Sequence, residues 1–148
     1  MTARTRLLDR EVAQAMSALS AAAKKGLGDP SLAELVMIRA SQINHCAFCL
    51  DMHLTLARKN GESEQRLGLL DAWEEAEELY SERERAALAL TEAVTVLTEG
   101  FVPDAVYERA AAHFPDGRLA HLVGLIAAIN SWNRVMVGRR IPPGGYTP

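Results

Sequence analysis

Cys46 and Cys49 are the only cysteines of the chain and form a Cys-x-x-Cys pair, with His53 four residues after the second. The reactive form of cysteine is the thiolate, yet an unperturbed thiol with a pKa of about 8.5 is mostly protonated at neutral pH. A helix N-terminus and a neighbouring imidazole both favour the thiolate. A second thiol three residues away can attack a sulfenic acid formed on the first and close a disulfide. On a helix, positions 46, 49 and 53 share one face, which continues through Leu50 and Ala57, while Asp51, Thr55 and Arg58 point elsewhere. Glu34, on the preceding helical stretch, shares a face with Met37 and Ile38. If that face packs on the cysteine helix, its carboxylate can bond His53 and fix the tautomer, giving a proton path from carboxylate to imidazole to thiol. The helix-terminus argument favours Cys46 as the more acidic thiol.

Each residue also has a plainer role. Ser31-Leu32-Ala33-Glu34 fits a capping box, in which Glu34 serves only its own helix. A lone histidine is more often packed than catalytic, and cysteines on a helical face are often small buried hydrophobes. His45, His113 and His121 have no evident partners and are read as structural. Other Cys-x-x-Cys chemistries fit less well. Thioredoxin-like centres need a strand-helix-strand setting, and haem attachment needs His where Leu50 stands. Zinc could use Cys46, Cys49 and His53 with Glu34 as fourth ligand, but the usual second ligand pair is missing. Redox chemistry without metal or cofactor is the favoured reading.

The elements that must position these groups are helical, since apolar residues recur at three and four throughout and no stretch alternates like a strand. A first helix is expected from about Leu7 to Lys25, stopping at Gly26-Leu27-Gly28. Asp29-Pro30 opens a second, with Leu32, Leu35, Val36 and Ile43 on one apolar face. The polar stretch from Ser41 to His45 breaks it, and Asn44 is placed to cap a third helix carrying Cys46 near its first turn and ending around Lys59-Asn60-Gly61. A short helix from Ser63 to Leu70 and an acidic connector from Trp73 to Glu78 follow. Ser81-Glu82-Arg83-Glu84 reads as a capping box opening a helix to about Thr98. Pro103 occupies a first-turn position for a helix to about His113. Leu119 to Val137 is apolar almost all round, as in a buried central helix. The expectation is one all-α domain spanning 1–148, with its core at about 7–138 and a tail at 139–148 that wraps the surface or a neighbouring subunit.

Composition narrows the function classes. With 148 residues and 49% hydrophobic content, the chain can bury a core without disulfide staples. A net charge of −3 gives no bias toward nucleic acid or anionic membranes. No stretch is long enough to span a bilayer and no secretory signal is evident, so a cytoplasmic location is expected. In that compartment thiols are kept reduced, and a cysteine pair is more often chemical than structural.

The pattern Glu34, eleven residues, Cys46-Ala47-Phe48-Cys49, three residues, His53 resembles the active-site motif of AhpD-like alkyl hydroperoxidases of the carboxymuconolactone decarboxylase superfamily. Ile43-Asn44, Asp51-Met52, the Ser81-Glu82-Arg83-Glu84 helix start, and Asn130, Trp132, Asn133 and Arg134 extend the resemblance over nearly the whole chain. Some AhpD proteins carry His between the cysteines, where Phe48 stands here. The resemblance implies an all-helical, oligomeric protein, a trimer or hexamer. It also implies a peroxidase for hydrogen peroxide or organic hydroperoxides, recycled by a dithiol reductant such as a lipoyl protein or a thioredoxin-like protein. By that resemblance Cys49 is the peroxidatic cysteine, Cys46 the resolving one, and Glu34 and His53 form a water-assisted relay. Two alternatives stand beside it: a carboxymuconolactone decarboxylase-type enzyme, which does not depend on the cysteine pair, and a redox-responsive binding or scaffold protein.

Overall fold

The computed structural model describes residues 2–146; Met1, Thr147 and Pro148, at the two ends of the expected domain and tail, lie outside the described residues. Among the described residues there are seven α-helices and no strand. They are α1 (Arg10–Leu27), α2 (Pro30–Ile43), α3 (Ala47–Lys59), α4 (Glu64–Leu69), α5 (Glu82–Thr95), α6 (Asp104–His113) and α7 (Arg118–Arg139), with one short 3-10 turn before α1 and two between α4 and α5.

Caps set most of these boundaries. The first helix starts at Arg10 rather than Leu7, because the Asp9 carboxylate accepts the backbone N–H groups of Glu11 and Val12 at 2.8 and 3.1 Å. It ends where Gly28 turns left-handed, at φ 68°. Asp29 caps α2, accepting from the Leu32 N–H, with Pro30 in the first turn. The alternative reading of Ser31 to Glu34 as a capping box is therefore not realised, and the Glu34 side chain is free for other work. The Ser81–Glu84 capping box does form, although its helix stops at Thr95, short of Thr98. Pro103 is the N-cap of α6 rather than a residue of its first turn.

The central helix is α2. Leu32, Leu35, Val36, Ile38 and Ala40 are buried on different sides of it, and it packs on α1, α3, α5 and α7. This corrects the expectation that α7 would hold that place and that α2 would bury one face. α7 buries Leu122, Leu125, Ile126, Ile129, Asn133 and Met136, but Val123 and Val137 stay exposed on its other side. Its apolar excess is spread around the cylinder, which composition alone cannot distinguish from burial. α1 lies along α7, and the His121 side chain of α7 lies over Gly26 of α1. A Cβ there would stand 1.8 Å from the His121 ring, so only glycine fits while that ring stays in place.

Two apolar cores flank α2. One joins α1, α2, α5, α6 and α7 through residues such as Leu27, Leu90, Phe114 and Ile126. The other joins α2, α3, α4 and α5 with Trp73 and Tyr80. The acidic connector is tied down through Trp73, whose indole N–H donates to Glu92 at 2.7 Å. The tail crosses the surface of its own chain: Ile141 packs beside the cysteines and Met136, and the Gly144 N–H donates to Asp51 at 2.8 Å.

Candidate active site

The junction between α2 and α3 fixes the cysteine pair. Asn44 does not cap α3; it closes α2, with its N–H on the Ala40 carbonyl. Its side-chain amide donates to the Oδ1 atoms of Asn130 and Asn133, each at 2.9 Å. Asn133 in turn donates to Ser41 Oγ at 2.9 Å, and Asn130 donates to Thr95 at 3.0 Å. These amides, Asn133 buried and Asn44 and Asn130 half-buried, pin the loop to α7, which gives Asn130 and Asn133 an architectural role. His45 follows in a left-handed conformation at φ 53°, and the chain then turns into α3.

Cys46 is the N-cap of α3, just outside the helix rather than in its first turn. Its sulfur accepts the Cys49 N–H at 3.3 Å. Within the helix the buried face is Cys49, His53 and Ala57. The two sulfurs are joined as a disulfide across a Cα separation of 5.3 Å, and both cysteines are buried. The N-cap position places the unpaired N–H groups of the first turn against Cys46, where they stabilise negative charge on its sulfur.

Glu34 reaches α3 from the centre of the molecule. Its Oε2 accepts from His53 Nδ1 at 2.7 Å, and both side chains are almost completely buried. With Nδ1–H committed to the carboxylate, the imidazole presents Nε2 as a bare lone pair able to take up a proton. The other carboxylate oxygen accepts from Lys24 Nζ at 3.3 Å, and Lys24 is partly open to solvent. The Glu34 carboxylate thus faces one cation and one imidazole, which offsets the cost of burying it.

A cavity of about 520 Å³ opens beside these groups. Cys49 and His53 line it; Cys46 does not. Its apolar walls are Met37, Phe48, Met52, Ile129, Trp132 and Met136, while Ser20, Lys24 and Arg139 supply polar atoms. The Trp132 indole N–H donates to Ser20 Oγ at 3.2 Å, joining α7 to α1 at the cavity wall.

All four residues singled out by spacing therefore meet: Cys46 with Cys49, Cys49 beside His53 on one helical face, and His53 on Glu34. Sequence reasoning gave no site role to Lys24, Met136 or Arg139, and named Met52 only as part of the family motif. Lys24 and Arg139 look in sequence like ordinary helix-terminal cations, and Met136 had no signal beyond helical periodicity. Of the remaining histidines, His45 is exposed, His113 ends α6 and His121 lies over Gly26. Among the described residues, no three His, Cys, Asp or Glu side chains are grouped to hold a metal ion. No described helix is long and apolar enough to cross a membrane.

The family model described as the carboxymuconolactone decarboxylase family matches residues 10–93, from the start of α1 to near the end of α5. The chain belongs to the carboxymuconolactone decarboxylase family. Two bacterial relatives are uncharacterised proteins. YdfG of Bacillus subtilis (strain 168) is 48% identical over 104 residues, covering 70% of each chain. YnjA of Escherichia coli (strain K12) is 36% identical over 118 residues, covering 79% of this chain and 63% of that one. A crystal structure from Agrobacterium tumefaciens superposes with a TM-score of 0.91 at 36% identity, covering 98% of this chain and all of that one. It is described as a protein of unknown function and as a candidate antioxidant defence protein, AhpD. The resemblance to AhpD-like members of the superfamily, and the all-helical fold it implied, hold.

Proposed function

We propose that this member of the carboxymuconolactone decarboxylase family is a thiol peroxidase acting on organic hydroperoxides or hydrogen peroxide. The observation that carries the reading is the meeting of Cys49 and His53 at the wall of an apolar cavity, with Glu34 bonded to His53 behind that wall and Cys46 joined to Cys49. Family membership and the antioxidant description of the Agrobacterium neighbour point toward an oxidoreductase.

The roles follow from the placement. In the reduced protein, His53 Nε2 takes the Cys49 proton, directly or through one water, while Glu34 balances the charge gained by the ring. The thiolate attacks the distal peroxide oxygen, the O–O bond breaks, and the alcohol leaves after protonation. Cys49 is now a sulfenic acid. Cys46 attacks its sulfur, releases water and closes the disulfide. A dithiol reductant entering through the cavity reopens it by attacking Cys49, and Cys46 departs as a thiolate favoured by its N-cap position. A second exchange releases the oxidised reductant. On this account the helix terminus makes Cys46 the better leaving group, while access and the base make Cys49 the nucleophile. A lipoyl or thioredoxin-like protein supplies the dithiol, and the protein works as a homo-oligomer in the cytoplasm.

The test is peroxide turnover coupled to lipoyl and thioredoxin-type reducing systems. Wild type is expected to consume cumene hydroperoxide or hydrogen peroxide with at least one of them, and Cys49→Ser to lose that turnover. Equal turnover by Cys49→Ser would be incompatible with the assignment.

A further inference from the structure

The cavity has a charge pattern that peroxide reduction alone does not require. Lys24 and Arg139 line it, and no Asp or Glu does. The charge of Lys24 is matched by Glu34 at 3.3 Å. That of Arg139 is not: among the described residues it forms no ion pair with a carboxylate. Its Nε is buried with no hydrogen-bond partner, its Nη1 lies 3.6 Å from Met136 Sδ, and its Nη2 donates to the Thr5 carbonyl at a long 3.4 Å. A guanidinium held at an apolar wall with an unused donor is a costly arrangement. The buried Nε is closed to a ligand, but Nη1 and Nη2, held only by these long contacts, can give a planar carboxylate two N–H bonds from one fork. An arginine serving only the C-terminal end of α7 would spend its donors on the last carbonyls of that helix. The recorded contacts of this side chain go to a thioether and to the N-terminal segment.

We propose that Arg139 is a specificity-determining residue that selects substrates bearing a carboxylate on an apolar chain, of the class of fatty-acid hydroperoxides. The carboxylate sits on the Arg139 fork, and the hydrocarbon lies along Met37, Phe48, Trp132 and Met136 with its peroxide toward Cys49. The methionines give that wall a deformable surface, which suits a flexible chain, and about 520 Å³ lies within the usual range for small-molecule sites. The proposal deepens the peroxidase reading and rests on it for the identity of the reacting group, though not for the anion site.

Two measurements separate the proposals. In the first, calorimetry compares octanoate with 1-octanol on the disulfide form of wild type, Arg139→Gln and Arg139→Lys. Wild type is expected to bind octanoate at least about tenfold tighter than the alcohol, the value of one charged hydrogen-bonding group. Arg139→Gln is expected to erase that preference by weakening octanoate alone, and Arg139→Lys to restore part of it. In the second, turnover of a fatty-acid hydroperoxide is compared with that of its methyl ester, with the preference expected in KM rather than kcat. Equal affinity of wild type for octanoate and octanol, which needs no variant, would overturn the proposal, as would a preference that survives Arg139→Gln. An octanoate site without peroxide turnover would sink the peroxidase and leave the anion site standing. Turnover with no acid preference would do the reverse.

Discussion

Replacing Glu34 with Gln keeps the size of the side chain and a hydrogen-bonding group opposite His53 Nδ1, but removes the charge. The loss has a lower bound in the difference between a charge-assisted and a neutral hydrogen bond, about 1.5 kcal/mol, or roughly tenfold in rate. The upper bound is the attraction between a carboxylate and a newly formed imidazolium. With charge centres about 4 Å apart and an effective dielectric of about 20, it is about 4 kcal/mol, or roughly a thousandfold. Lys24 also holds the carboxylate and would remain as an uncompensated cation near the ring, which keeps the effect off the lower bound. The expected fall in the second-order rate constant for Cys49 oxidation is therefore about a hundredfold. Stopped-flow mixing of reduced protein with peroxide, quenched by thiol alkylation, reads it directly. Lys24→Met is the contrast: that ion pair is partly solvent-exposed and is expected to change the rate by less than tenfold. A Glu34→Gln protein that keeps its helical circular dichroism and reacts within about threefold of wild type would refute the relay.

Three further outcomes test the architecture. Asn133→Ala removes a buried amide that holds both Asn44 and Ser41, and is expected to cost about 2–3 kcal/mol by urea denaturation. It should slow disulfide closure between Cys46 and Cys49 as the loop loosens. Gly26→Ala should destabilise by about 1–3 kcal/mol although alanine favours helices, because the new Cβ meets the His121 ring; in a His121→Ala background the same change should stabilise. Burial raises the phenol pKa of Tyr80 above its usual value, so its contribution is fully present below about pH 10 and is lost as pH rises through the raised value. Alkaline denaturation of Tyr80→Phe should lack that component.

The fold class was legible because helical periodicity and caps run through the whole chain, and the grouping of Cys46, Cys49 and His53 because they lie at helical spacing around one short loop. The first boundary was misplaced because Asp9, whose carboxylate accepts two N–H groups at once, fixes the helix start at Arg10, whereas Asp29-Pro30 opens α2 where the sequence put it. Asn44 looked like an N-cap because its side chain is of the right type. Its amide was instead drawn to Asn130 and Asn133, more than eighty residues away. Such long-range partners leave no local trace. The same holds for Lys24 and Arg139, which reach the cavity from the ends of α1 and α7 and carry in sequence only the look of helix-terminal cations.

The most direct test of the central claim is mass-spectrometric mapping of thiols in the reduced protein after one equivalent of peroxide, with Cys46→Ser and Cys49→Ser in parallel. The account predicts a rapid Cys46–Cys49 disulfide in wild type, a sulfenic acid trapped on Cys49 in Cys46→Ser, and little oxidation of Cys46 in Cys49→Ser. Sulfenic acid forming first on Cys46, or two thiols inert to peroxide, would contradict it.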